Sequence, residues 1–376
     1  MIGRIKELNH LFNLYNNDSF EFLVMYGRRR IGKTTILQEF SEKTNSIFFP
    51  AREKNDALNL EDFSKIIQYH FDKQFYSSFS SWEDAFNYIS SKAHDKVSII
   101  IDEFPYIIEE NPSVKSILQH VIDHSWKQKN IFLILCGSSV SIMENDVMGR
   151  KSPLHDRQTS TLEIKPFDYY ESSGFFPEYN NIDKILAYGI LGGVPRYLEA
   201  FDSSKTIEQN IATRIIQNGS YLYEEPMNLL KAEVRETNIY NSILSAIASG
   251  KNKMIDIANF IHEDRTKVAK YLNTLQILRL IEKRVPCGES ETSKKSIYVI
   301  KDNFFKFWFR YEFTNNVYYS ILGSSEASKE IMKDISNFMG DIFEDICKEY
   351  LIRLARLRKL PFIPYHIGKW WGNNPV

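Results

Sequence analysis

The sequence predicts an α/β fold in its first half, a parallel sheet covered by helices, followed by a largely helical second half. Three observations carry that expectation. Between Phe20 and Phe167 short apolar runs alternate with helical stretches, the order that builds a parallel sheet with helices on both faces. A Gly-flanked loop, Gly27 to Thr34, stands between the first such run and a helical stretch. From Asn181 onward the strand-like runs vanish and amphipathic periodicity takes over.

The expected strands are Glu21 to Tyr26, Ser46 to Pro50, Val97 to Asp102, Ile131 to Gly137 and Thr161 to Lys165. Each is rich in β-branched or aromatic residues and bounded by polar or small ones. Ile182 to Gly189 and Thr206 to Asn218 carry apolar residues at helical spacing and read as a helical lid or second subdomain. Asn238 to Ile300 then reads helix, helix, turn, helix and two strands, the winged-helix order. Within it Val268, Tyr271, Leu272, Leu275 and Leu278 mark a buried helix face, while Thr266, Lys267 and Lys270 fall opposite. Pro286 to Lys295, a loop containing Ser and Gly, is the expected wing.

The chain has 376 residues, 43% of them hydrophobic, which is material for several cores rather than one. A formal net charge of −1 excludes a global basic field, so any nucleic-acid contact must come from a local patch. Cys136, Cys287 and Cys347 are odd in number and far apart, which argues against a disulfide framework or a zinc site. The N-terminus lacks an apolar signal core and no run approaches the roughly 18 apolar residues of a membrane helix. A soluble cytoplasmic protein with no membrane partner is the expectation.

The Gly27, Arg28, Arg29, Arg30, Ile31, Gly32, Lys33, Thr34 string fits the phosphate-cradling P-loop at every fixed position. Its glycines let backbone N–H groups converge on phosphates, and the helix continuing through Thr35 presents its positive end. Lys33 is expected to neutralise the β and γ phosphates and Thr34 to offer a hydroxyl to Mg²⁺. The three consecutive arginines read as solvated, or as contacts for a neighbouring subunit or acidic partner. The apolar run Ser98 to Ile101 ends in Asp102 and Glu103, one carboxylate to organise Mg²⁺ and the other to activate water. Asp102 takes the metal role and Glu103 that of the base. The next core strand ends at Ser138 and Ser139; Ser138 is the candidate for orienting water near the γ phosphate, and a plain strand exit is the competing reading. ATP is favoured over GTP because the nearest approach to a guanine reader, Asn252-Lys253-Met254-Ile255, has Ile where Asp is required.

Taken together these residues resemble the archaeal-type, AAA-related ATPases that carry a P-loop domain, a winged helix and a C-terminal nuclease-like region. The marks are Gly3 to Leu8, Tyr26 to Thr35, Asp102-Glu103, Cys136 to Ser139 and Gly192 to Leu198. The resemblance implies ATP with Mg²⁺ as cofactors, Arg4 and Glu7 near the base, and Pro195 with Arg196 closing over the nucleotide as a lid sensor; a helix-capping surface arginine is the other reading of Arg196. It also implies an arginine that reaches a γ phosphate, often in a neighbouring subunit of a homo-oligomer. Arg157 ranks before Arg150, with a simple pairing to Asp156 or Glu163 as its alternative.

Lys301 to Phe313 is dense in aromatics, read as packing rather than base stacking. Met339 to Leu351 resembles the first helix of the nuclease-like domain, with Glu344 at its first acidic position, but the acidic strand residues expected after Gly372 do not follow. Nuclease activity is therefore not expected. The implied division is 1–170 for the ATPase core, 171–236 for the lid, 237–300 for the winged helix and 301–376 for a truncated α/β nuclease-like region. The basic helix around Lys348, Arg353, Arg356, Arg358 and Lys359 reads as a solvated face or a phosphate-backbone contact.

The function expected is an ATP-hydrolysing switch that couples nucleotide state to DNA binding through Arg265, Thr266, Lys267 and Lys270. The alternative is an ATP-sensing scaffold with little hydrolysis that controls protein assembly or defence signalling.

Overall fold

The computed structural model describes residues 2–371, which form two compact units, one spanning Gly3–Lys165 and the other beginning at Pro166. In the first, α1 (Ile5–Tyr15) precedes β1 (Glu21–Tyr26) and α2 (Lys33–Ser41), followed by β2 (Ser46–Pro50), α3 (Asp56–Asp72) and α4 (Trp82–Lys92). Then come β3 (Val97–Asp102), α5 (Pro105–Glu110), α6 (Val114–His124), β4 (Ile131–Gly137), the single turn α7 (Val140–Ile142) and β5 (Ser160–Glu163). The five strands form one sheet in the order β2-β3-β4-β1-β5, every pairing parallel. Every side chain of β1, β3 and β4 is buried, which requires cover on both faces and explains their continuous apolar sequences. The last strand runs over 160–163 rather than 161–165, as an edge strand that pairs with β1 alone.

Parallel strands put all their C-terminal ends at one edge. The register aligns Pro50 with Asp102, Ile101 with Leu135, and Tyr26 with both Gly137 and Glu163. The loops leaving this edge carry the phosphate-loop and acidic residues singled out in the sequence, the place where ligands bind in open α/β sheets.

The second unit is helical apart from one hairpin. It runs through α8 (Tyr169–Ser173), α9 (Asn181–Leu191), α10 (Pro195–Leu198), α11 (Ile207–Asn210) with a π-helical continuation to Ile216, and α12 (Tyr221–Glu233). Next are α13 (Thr237–Ala248), α14 (Met254–Ile261), α15 (Arg265–Ile277) and the antiparallel pair β6 (Ile281–Arg284) and β7 (Ile297–Ile300). These are the three helices and two strands expected in that order, with Pro286 to Lys295 as the connecting loop. Val268, Tyr271, Leu272, Leu275 and Leu278 of the α15 stretch are buried, and Thr266, Lys267 and Lys270 are exposed.

The remaining elements are α16 (Asn303–Trp308), a π-helical turn over Phe309–Phe313, α17 (Thr314–Leu322) and the 33-residue α18 (Ser324–Arg356). The aromatic run is packing material: Phe304, Phe305, Phe307, Trp308, Phe309 and Tyr311 are buried, with Tyr197 against Phe304 and Phe307 against Phe338. One expectation is corrected here. The C-terminal region contains helices and no strand among the described residues, and Met339 to Leu351 is the interior of α18 rather than the start of an α/β module. The expected site of the missing acidic strand, after Gly372, lies outside the described residues. Among those described, no helix is long and apolar enough to cross a membrane.

Candidate functional site at the sheet edge

The phosphate loop owes its path to a few backbone constraints. A Cβ on Gly27 would come within 2.4 Å of the Ile164 carbonyl oxygen, so the loop leaves β1 hard against the exit of β5. Gly32, at φ 90°, turns the chain into α2, and Arg30 shares the left-handed region at φ 69°. Lys33 is buried and its ammonium donates to the carbonyl oxygens of Gly27 at 2.8 Å and Arg28 at 3.1 Å. The loop thus curls around its own lysine, and a phosphate offers the same ammonium stronger, anionic acceptors. Thr34 and Thr35 lie exposed at the helix start. Arg28 is buried, at 7% exposure, which corrects the reading of three solvated arginines; Arg29 is half-buried and Arg30 exposed.

The acidic strand end meets this loop directly. The Thr34 hydroxyl donates to Asp102 Oδ2 at 2.7 Å, although 68 residues separate them. Asp102 is buried and its other oxygen accepts from the Glu103 amide at 3.0 Å. Glu103 sits at φ 54°, a conformation unfavourable for a residue with a Cβ, so its placement is imposed by its surroundings. Those surroundings are visible: the Phe104 amide donates to the Cys136 carbonyl at 2.8 Å, and Glu103 Oε2 accepts from the Ser138 amide at 3.1 Å and hydroxyl at 2.9 Å. Ser138 therefore lies in the site, in contact with Glu103. Cys136, directly below, is a free thiol whose ionisation is pushed far up, chiefly by burial and then by Asp102, so it acts as a core residue.

A hard-oxygen pair of hydroxyl and carboxylate beside a lysine held by main-chain carbonyls fits a Mg²⁺-bound nucleoside triphosphate. Thr34 and Asp102 would hold the metal.

Arg4, expected near the base, is buried, at 4% exposure. It donates to Glu7 Oε1 at 3.0 Å, to the Ile31 carbonyl at 3.1 Å and to the Lys165 carbonyl at 2.9 Å, tying the N-terminal segment to the phosphate loop and to the chain after β5. Arg157 is folded into the opposite edge. It lies three residues before β5 and clasps Asp123 Oδ2 through Nε at 3.0 Å and Nη2 at 2.7 Å, with Nη1 on the His155 carbonyl. Asp123, not Asp156 or Glu163, is its partner, and about 20 Å of strand separates this end of the sheet from the phosphate loop. Pro195 and Arg196 belong to the second unit, where Arg196 lies over the Tyr221 ring and 3.7 Å from Glu199. Arg150 is exposed in the stretch before β5.

Sequence reasoning passed over Asn59, buried at 1% in α3. It accepts from the Arg52 amide at 3.2 Å and donates to the carbonyls of Arg52 at 3.0 Å and Lys54 at 3.2 Å, fixing the loop that leaves β2 beside Asp102. The available signal was an amide placed beside Leu60 and Phe63 on the buried face of a helix.

Comparison with known proteins agrees with this geometry. Residues 1–201 match a family described as an ATPase domain predominantly from Archaea, and residues 308–375 match a family of archaeal and bacterial proteins of unknown function. An uncharacterized protein of Methanocaldococcus jannaschii is 35% identical over 374 residues, covering 98% of this chain and 81% of the relative. Among solved structures, a Walker-type ATPase of Pyrococcus abyssi aligns with a TM-score of 0.64 at 19% identity, over 82% of this chain and 96% of that one. The ORC2 protein of Aeropyrum pernix, in ADPNP and ADP complexes, aligns with a TM-score of 0.54 at 12% identity, over 86% and 96%. Those two structures share the fold. The archaeal match spans more than half of the sequence and coincides with the sheet and its phosphate loop, so this chain belongs to the family of ATPase domains found predominantly in Archaea.

Proposed function

We propose that this chain hydrolyses ATP at the sheet edge and uses the nucleotide state to control contact of its winged-helix segment with duplex DNA. The observation that carries the reading is the meeting of Thr34 with Asp102 at 2.7 Å, with Glu103 next in sequence. It brings the phosphate loop and the acidic strand end to one point. Bound Mg²⁺ would supply charge neutralisation to the phosphates. Lys33 turns from its loop carbonyls to the β and γ phosphates, while the loop amides and the start of α2 cradle them. Glu103 accepts the proton of the attacking water, and Ser138, which donates twice to that carboxylate, sets its direction. Arg4, with Glu7, fixes the loop that faces the nucleotide. Pro195 and Arg196 serve as the lid sensor, and Arg157, clasped to Asp123 in its own subunit, acts on the γ phosphate of a neighbouring subunit in a homo-oligomer. The Aeropyrum pernix protein of like fold, in its ADPNP and ADP complexes, supports adenine nucleotide as the ligand class.

DNA contact rests on the exposed face of α15. Asp264 caps that helix by accepting from the amides of Thr266 and Lys267, and Lys267 also pairs with Glu263 at 3.0 Å, so Arg265 and Lys270 carry most of the available charge. The test is a labelled-duplex shift at increasing salt. Binding should weaken steeply with salt and be lost in Lys267→Ala/Lys270→Ala; unaltered binding by that variant, or none by the wild type at low salt, would remove DNA from the account.

A further inference from the structure

Stabilising charge on a transferring γ phosphate calls for a cation at the phosphate edge of the same sheet, and Arg157, at the far edge and clasped to Asp123, does not supply one in its own subunit. We propose that Arg52 is the catalytic arginine supplied in cis. This inference rests on the ATPase reading above and names a further residue of that site.

Three observations place it there. First, Arg52 follows β2, whose last residue, Pro50, is in register with Asp102; the Ala51 amide donates to the Asp102 carbonyl at 2.9 Å. Its backbone therefore leaves the sheet one strand spacing, about 4.8 Å, from the acidic pair. Second, the loop is held by design of the surrounding core. Asn59 spends its whole amide on Arg52 N–H, Arg52 C=O and Lys54 C=O while buried at 1%. A buried amide committed to three main-chain groups costs desolvation and leaves no local freedom, which makes sense if the loop must present a side chain in one direction. Third, the side chain presented is exposed, and among the described residues its guanidinium has no hydrogen bond or ion pair, whereas neighbouring Lys54 is already paired with Asp62.

The Glu109 carboxyl is raised above its ordinary value by burial first, then by Glu53, with Arg29 opposing; Glu53 of the β2 loop and Arg29 of the phosphate loop thus both lie within electrostatic reach of one carboxylate. An arginine has the fork of donors suited to a phosphate, and β2 is next to β3, the strand that ends in Asp102. On hydrolysis water attacks the γ phosphorus, the bond to the β-γ bridging oxygen breaks, Glu103 takes the water proton, and Arg52 neutralises charge on the γ oxygens throughout.

The test compares wild type, Arg52→Ala, Arg52→Gln and Arg52→Lys in ATP turnover and in affinity for ADP and for ATPγS, with Lys33→Ala as the nucleotide-binding control. Turnover in Arg52→Ala and Arg52→Gln should fall at least tenfold, a conservative share of the ~10³ supplied by such arginines, with ADP affinity within twofold of wild type and partial recovery in Arg52→Lys. Turnover within twofold of wild type would overturn the proposal. If the wild type shows no turnover, the hydrolysis reading itself fails, and Arg52 is judged on affinity: a tenfold loss for ATPγS but not for ADP sustains its γ-phosphate contact, and equal losses or none overturn it. Melting temperatures of the variants, unchanged for an exposed side chain, exclude misfolding as the cause.

Discussion

At the scale of single residues the account turns on who holds whom. Glu103→Gln keeps the shape of the side chain and a carbonyl acceptor for Ser138 but cannot take a proton, so it should bind ATP as the wild type does and lose turnover by about a hundredfold or more, within the range of general-base removal. Wild-type hydrolysis by that variant would refute the base assignment. For Arg157 the geometry gives a stability prediction instead. The Arg157 and Asp123 side chains are both largely shielded, at 23% and 24% exposure, and share two charge-assisted bonds, so Arg157→Ala and Asp123→Ala should each destabilise the fold by about 1–2 kcal/mol. Their double mutant should cost less than the sum in chemical denaturation, and strict additivity would show that the clasp contributes nothing. The phosphate-loop and acidic residues stand out as candidates in the sequence because chemistry fixes their spacing, and the fold brings Thr34 to Asp102. The sequence did not show the true partners of Arg4 or Arg157. Carbonyls at 31 and 165 carry no side-chain signature, and Asp123 stands 34 residues from its arginine, joined to it only by the fold.

At the scale of elements, strands were legible and helix irregularities were not. Fully buried parallel strands read as unbroken apolar runs, and four of the five ran over the ranges read from the sequence; the edge strand β5, half-solvated and short, was displaced by two residues at its end. The helical stretch after Thr206 and the aromatic run after Lys301 both contain π-helical turns, which no residue pattern announces. The turn at Phe309–Phe313 has a measurable consequence. It carries Glu312 into the core at 2% exposure, where Oε1 accepts from Asn316 at 2.6 Å and Oε2 has no hydrogen-bond partner among the described residues. Burial raises this carboxyl above its ordinary 4.5, against a smaller lowering by Asn316. The folded chain then retains a proton that the unfolded chain releases, so stability falls as pH rises through the window between 4.5 and the raised value. Glu312→Gln removes that loss: its melting temperature should exceed the wild type's at pH 7 and converge on it below pH 4.5. A variant less stable than wild type at pH 7 would show that the buried carboxylate is favourable where it stands.

For the molecule as a whole, the structure has two compact units that meet in sequence at Lys165 and Pro166, against the four segments expected from the sequence. The Arg4 guanidinium bonds to the last carbonyl of the first unit and to the phosphate loop at once, so the chain leaving the ATPase core is tied to the part that holds nucleotide. The helical character of the C-terminal region escaped the sequence reading because a resemblance over one amphipathic helix was taken to imply a truncated α/β module, whereas the described residues there are helical. The central claim is that the sheet edge hydrolyses ATP through the phosphate-loop lysine. Its most direct test is ATP turnover by the wild-type chain and by Lys33→Ala, each with and without duplex DNA. The account predicts turnover that disappears in Lys33→Ala and rises when DNA is added to the wild type. Turnover that persists without the Lys33 ammonium would contradict it.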